Sequence, residues 1–120
     1  MNSTEQEIHA IVSPLSSNCI WLFSLIYASP RITERCCLWD NLEILAGLHN
    51  LPWLIMGDFN EVVSGREKFG DNRVNVCRAT KFNNFMDSCN MIDLGFVGLR
   101  FTWTNKRGLD GLILERLDRA

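Results

Sequence analysis

An α/β (α+β) fold is what this sequence predicts, on three observations. Short apolar runs have the length of strands, and two longer segments repeat apolar residues every three to four positions. The hydrophobic fraction of 47%, with four Trp and seven Phe, is enough for a packed core. At 120 residues the chain has the size of one domain, or of part of a larger sandwich, since such folds often run to about 200–250 residues as one unit.

Glu7 to Val12 is a short apolar stretch that predicts a strand, and Ser13 to Asn18, with Pro14 and three serines, predicts a turn. Cys19 to Tyr27 is almost unbroken in apolar character, which predicts a strand covered on both faces. From Arg31 the period changes: Ile32, Cys36, Trp39, Leu42 and Leu45 form one side and Arg31, Glu34, Arg35, Asp40 and Glu43 the other. That spacing predicts an amphipathic helix, stopped by Gly47 and Pro52. Trp53 to Met56 is too short for a helix and predicts a central strand, with Gly57, Asp58, Phe59 and Asn60 at its carboxyl end. Ser64 to Asn75 lacks periodicity and predicts a long surface loop. Phe82, Phe85, Met86 and Cys89 mark a second amphipathic helix ending near Asn90. Leu99 to Thr104 alternates as a strand with one buried face, and Leu112 to Leu117 is apolar enough for a last one.

A net charge of −2 is not the footprint of a protein that blankets nucleic acid with Lys and Arg, so phosphate recognition would have to be local. Five cysteines without a C-x-x-C pair, beside two isolated histidines, His9 and His49, point away from a disulfide framework and from a zinc site. Met1 to Gln6 is polar and acidic rather than signal-like, and the run Cys19 to Ala28 is too short to cross a bilayer. The default compartment is therefore the cytosol or nucleus.

The chemistry concentrates at Gly57-Asp58-Phe59-Asn60. Alternation along a strand would send Asp58 and Asn60 to the same side. A carboxylate can orient or deprotonate a water, and an amide can donate to phosphoryl oxygens as charge builds. Gly57 would let a substrate backbone come close. The same residues also serve as ordinary turn formers whose side chains cap local backbone. A second candidate, Asp118 between Arg116 and Arg119, also reads as a solvated charge cluster. Tyr27, the sole tyrosine, can offer its hydroxyl to a phosphate or simply close an amphipathic strand.

Taken in order, Ile26-Tyr27-Ala28-Ser29-Pro30-Arg31, Leu38-Trp39, Trp53 to Glu61, Phe101-Thr102-Trp103-Thr104-Asn105 and Glu115-Arg116-Leu117-Asp118-Arg119 make the chain resemble the endonuclease domain of plant LINE-type non-LTR retrotransposons. Those domains belong to the endonuclease/exonuclease/phosphatase (DNase I-like) superfamily. The resemblance implies a four-layer β-sandwich flanked by helices, of which residues 1–120 would be a partial domain truncated at both ends. It implies a magnesium-dependent nuclease acting on DNA. It gives Asp58 and Asn60 the attacking water and the scissile phosphate, Asp118 the orientation of a catalytic histidine, and Tyr27 a contact to the phosphate.

Two of the family's motifs would lie before Met1, an asparagine and the metal-binding glutamate. Neither Glu5 nor Glu7 stands in the glutamate motif's context. The S-D-H motif with the histidine would lie beyond Ala120. These residues are thus expected to bind no Mg2+ by themselves and to have no activity alone. An incomplete sandwich would leave apolar strand faces uncovered and self-associating. Three rival readings remain: a nuclease completed by another chain or a longer gene product, a small α/β module holding a protein partner, and a relative acting on inositol phosphates or sphingolipids.

Overall fold

Glu7–Val12 forms the first strand, β1, and Trp21–Tyr27 the second, β2, which runs antiparallel to it with Glu7 opposite Ile26 and Val12 opposite Trp21. The chain then crosses over through helix α1, Ile32–Leu48, into β3, Trp53–Asp58, which lies parallel to β2. A parallel pair needs such a crossover, and the helix supplies the apolar stripe that covers one face of the strands. A single 3-10 turn, Gly65–Glu67, leads into the two-residue strand β4, Lys68–Phe69. Helix α2, Val76–Ser88, follows, its first turn capped by the Asn75 side chain accepting from the Arg78 N–H. Three further two-residue strands close the order: β5, Trp103–Thr104, β6, Leu114–Glu115, and β7, Asp118–Arg119.

These elements come from a computed structural model that describes residues 5–70, 74–95, 101–108 and 114–120. They make a small mixed α+β protein with a four-stranded mixed sheet in the order β1-β2-β3-β7, two helices, and a three-stranded sheet in the order β4-β6-β5. The core lies where the helices meet the larger sheet: Ile26, Ala28, Ile55 and Phe59 from the strands and their ends, Leu38, Trp39 and Leu42 from α1, Phe82 and Phe85 from α2. Trp39 stacks on Phe85 at 4.9 Å between ring centres and on Phe59 at 6.1 Å, with Phe82 edge-on at 5.2 Å. Offset and edge-on pairs of this kind add to the burial of the rings themselves.

The expected β1, α1, β3 and α2 are present, but several expectations need correction. The strand expected over Cys19 to Tyr27 begins at Trp21, and it is covered on one face, not two. Leu22, Ser24 and Ile26 are buried while Leu25 is 45% exposed. The helices pack on one side of the sheet only, and Ile8, Leu25 and Met56, which line up across β1, β2 and β3, stay open on the other. Arg35, expected on the solvent side of α1, is fully buried. The expected loop from Ser64 to Asn75 contains the 3-10 turn and β4, with residues 71–73 outside the described ones. Of the strand expected over Leu99 to Thr104, residues 99–100 lie outside the description, and Trp103 and Thr104 are both exposed rather than buried on one face. Of the last expected strand, Leu112 to Leu117, residues 112–113 are undescribed and Leu114–Glu115 forms β6, while β7 lies just beyond it at Asp118–Arg119.

The five cysteines are free thiols, and burial pushes that of Cys89 up to about 11, aided by the nearby Glu43 carboxylate. His9 meets the buried Ser24 hydroxyl at 2.6 Å, and His49 packs edge-on against Trp53. No helix among the described residues is long and apolar enough to cross a membrane.

Candidate functional site

The strand ladder brings three of the four candidate residues into one row. In the parallel pair Tyr27 lies opposite Asp58, and in the antiparallel pair Asp58 lies opposite Asp118. Tyr27, Asp58 and Asp118 are thus neighbours across β2, β3 and β7, at the carboxyl ends of the two parallel strands. Asn60 joins them through a turn. Its backbone N–H donates to the Asp58 carboxylate at 2.8 Å, and its side-chain amide donates to the Ala28 carbonyl at 2.6 Å.

That arrangement corrects the reason for expecting Asp58 and Asn60 together. Strand alternation does not do it, because β3 ends at Asp58 and Asn60 has a left-handed backbone (φ 51°), a conformation asparagine tolerates better than most residues. The residue between them supplies the leverage. Phe59 is buried against Trp39 and Phe82, its N–H donates to the Leu117 carbonyl at 2.9 Å, and its two polar neighbours are left only half-buried at the rim. The turn-forming role of the aspartate is real, since its carboxylate caps the Asn60 N–H; that bond leaves Asp58 with further acceptor capacity.

Gly57 has a structural role. It sits at φ +138°, and a Cβ there would run into the Ile26 backbone carbonyl. Glycine is required here by the neighbouring strand.

Asp58 carries the electrostatic signature of the row. Burial pushes its carboxyl above the ordinary aspartate range; the Asn60 N–H opposes this, the Asp118 charge adds to it, and Arg35 opposes it. Asp118 itself is exposed, held through its backbone: the Thr102 hydroxyl accepts from the N–H groups of both Leu117 and Asp118, at 3.0 and 3.2 Å. Tyr27 is 70% exposed, and its ring borders a surface hollow with Gln6, Ser29, Pro30 and Glu34.

The two arginines that flank Asp118 are the largest surprise. Read alone, the segment resembles a solvated charge cluster, yet Arg116 and Arg119 are buried. Arg119 reaches Glu67 at 2.5 Å and Asp93 at 2.9 Å, donates to the Glu61 carbonyl at 2.8 Å, and lies over the Phe82 ring. Arg116 reaches Glu67 at 3.1 Å and Asp93 at 3.0 Å. Burial by itself would raise the carboxyls of Glu67 and Asp93; the guanidinium bonds outweigh it and hold both below their ordinary range. A second buried group forms around Glu61, whose carboxylate takes Arg35 at 3.2 Å and Arg78 at 3.4 Å. These two networks fasten β7 and the turn after β3 to the body of the protein.

Sequence reasoning missed Arg35, Glu61, Glu67, Asp93 and Thr102 as supports of the site. Glu61 and Thr102 stood inside the strings that carried the resemblance, so a signal existed for them. Glu67 and Asp93 had none, because their partners lie far along the chain.

The resemblance implies a magnesium site, of a kind that takes few carboxylates beside waters and substrate phosphate. Asp58 and Asp118 contribute two carboxylates, and no group of three His, Cys, Asp or Glu side chains able to hold a metal occurs among the described residues. Comparison with protein-family models and with curated proteins finds no match to this chain.

Proposed function

We propose that Tyr27, Asp58, Asn60 and Asp118 are part of a centre for phosphodiester hydrolysis, of the DNase I-like kind carried by retrotransposon endonucleases, with DNA as substrate. The observation that carries this reading is that three separate stretches of chain meet at one end of the sheet: Tyr27, Asp58 and Asp118 lie in one row, and Asn60 is joined to Asp58 through the turn after β3. In it Asp58, made more basic by burial and by Asp118, orients and deprotonates the attacking water. Asn60 has one amide hydrogen bonded to Ala28 and a second available to a phosphoryl oxygen as charge develops. Tyr27 offers an exposed hydroxyl to the phosphate, and Asp118 orients the histidine that the resemblance implies.

These 120 residues contain neither the glutamate motif nor the S-D-H motif, so by this reading they do not complete the reaction alone. A plasmid-nicking assay with magnesium is expected to show no cleavage by the chain; nicking that disappears in Asp58→Ala would overturn that part. The positive test is a graft, in which residues 20–119 replace the matching section of an active plant LINE-type endonuclease. The graft is expected to nick, and Asp58→Ala to slow it by about a hundredfold or more, the usual worth of a positioned acid or base. A folded graft that nicks equally well with Ala at position 58 would defeat the proposal.

A further inference from the structure

Arg35 stands apart from the other charged residues of α1, since its side chain is buried to the last atom on a helix face otherwise packed with Leu38, Trp39 and Leu42. Its guanidinium fork has two targets. One nitrogen donates to the Ser29 carbonyl at 2.8 Å and the other to the Glu61 carboxylate at 3.2 Å. Ser29 directly follows Ala28, the acceptor of the Asn60 amide, and Glu61 directly follows Asn60. A closed circuit results: from the turn after β2, through Arg35, to the turn after β3, and back through the Asn60 amide.

A fold staple would not need this design. Replacing a buried ion pair by apolar residues of similar size is often neutral or stabilising, so packing alone would favour an apolar residue here. The planar fork does what an apolar side chain does not, setting two acceptors at fixed spacing. That matters because Asn60 holds a left-handed backbone, which asparagine tolerates but which the contacts around it help to hold. Glu61 is gripped from both ends, its carbonyl by Arg119 and its carboxylate by Arg35 and Arg78.

We infer that Arg35 is a positioning residue: through Ser29 and Glu61 it fixes the turn after β3 against the turn after β2, and so sets where the Asn60 amide points relative to Asp58. Its catalytic meaning rests on the hydrolytic reading above, but the geometry is testable without any substrate, so each can fail independently of the other.

The test is hydrogen exchange at the Asn60 side-chain amide, followed by NMR in the full chain. In wild type one amide hydrogen is expected to be protected by the Ala28 carbonyl; an unprotected amide overturns the inference at once. In Arg35→Met that exchange is expected to accelerate about tenfold, the worth of one hydrogen bond, while the backbone amides of the β2–β3 ladder keep their wild-type rates. Arg35→Lys, which retains the charge but not the fork, guards against a Met variant that does not fold and is expected to accelerate by a smaller factor. Unchanged Asn60 exchange in a folded variant, or equal acceleration throughout the ladder, would show that Arg35 is only part of the general packing.

Discussion

Phe59 and its two neighbours belong to different regions of the molecule, and the contrast between those regions explains how the site is made. Phe59 joins Trp39, Phe82 and Phe85 in a core held by apolar packing. One residue away on either side, Asp58 and Asn60 stand at a rim whose supports are buried charges: Arg35 with Glu61, and Arg116 and Arg119 with Glu67 and Asp93. The core fixes where the strand ends lie. The ion networks fix what the strand ends present. A polar rim is thereby carried on a region held by apolar burial.

The sharpest way to break the contrast is to attack both supports. Phe59→Ala is expected to lower unfolding free energy by about 3–5 kcal/mol, the usual range for a buried aromatic. Arg119→Met should cost a comparable amount, about 3–5 kcal/mol, because it removes the nearest guanidinium partner of the buried Glu67 carboxylate and leaves Arg116 alone to compensate it. Urea unfolding of the two variants checks this, and an Arg119→Met chain as stable as wild type would mean that the rim needs no ionic anchor.

Acid should separate the regions next. Glu67 and Asp93 have folded pKa values held below those of the unfolded chain, so the stability they contribute is present above the unfolded values and is lost as pH falls through the folded ones. Thermal melts are therefore expected to fall steeply in acid for wild type and less steeply for Glu67→Gln, which starts from a lower midpoint. Equal slopes would contradict the assignment.

Asp58 is expected to behave in the opposite sense. Its pKa is raised in the folded chain, so its contribution is favourable below the unfolded value and is lost as pH rises through the folded one. Asp58→Asn keeps an acceptor for the Asn60 N–H and removes the charge. It should stabilise the chain at neutral pH by up to about 1 kcal/mol, a gain that disappears in acid. A loss of stability at neutral pH would make Asp58 a structural cap and nothing more.

The smallest stability effect is expected on the open side of the sheet. Leu25 sits between Ile8 and Met56 in an exposed apolar row. Leu25→Lys should change stability by less than about 0.5 kcal/mol while reducing self-association in light scattering.

What could be read in the sequence follows from which energies leave a local trace. Apolar periodicity reports burial along one element, so α1, α2 and β1 to β3 were legible; Tyr27, Asp58, Asn60 and Asp118 became candidates through their residue types and the family resemblance. Periodicity treats every charge as solvent-facing, and there it misplaced Arg35, Arg116 and Arg119. Burying a guanidinium needs a partner, and for Arg119 that partner is Glu67, 52 residues away in a segment without a pattern of its own. Gly57 was singled out for its flexibility, but the close approach of the β2 backbone that requires it left no local trace.

The central claim is that the carboxylates of β3 and β7 stand side by side at the sheet's end, and the most direct test is an NMR pH titration of the Asp58 carboxyl carbon in wild type and in Asp118→Asn. A midpoint above the ordinary aspartate range is expected in wild type, and a lower one once the charge on Asp118 is removed. An ordinary midpoint, indifferent to residue 118, would contradict the claim.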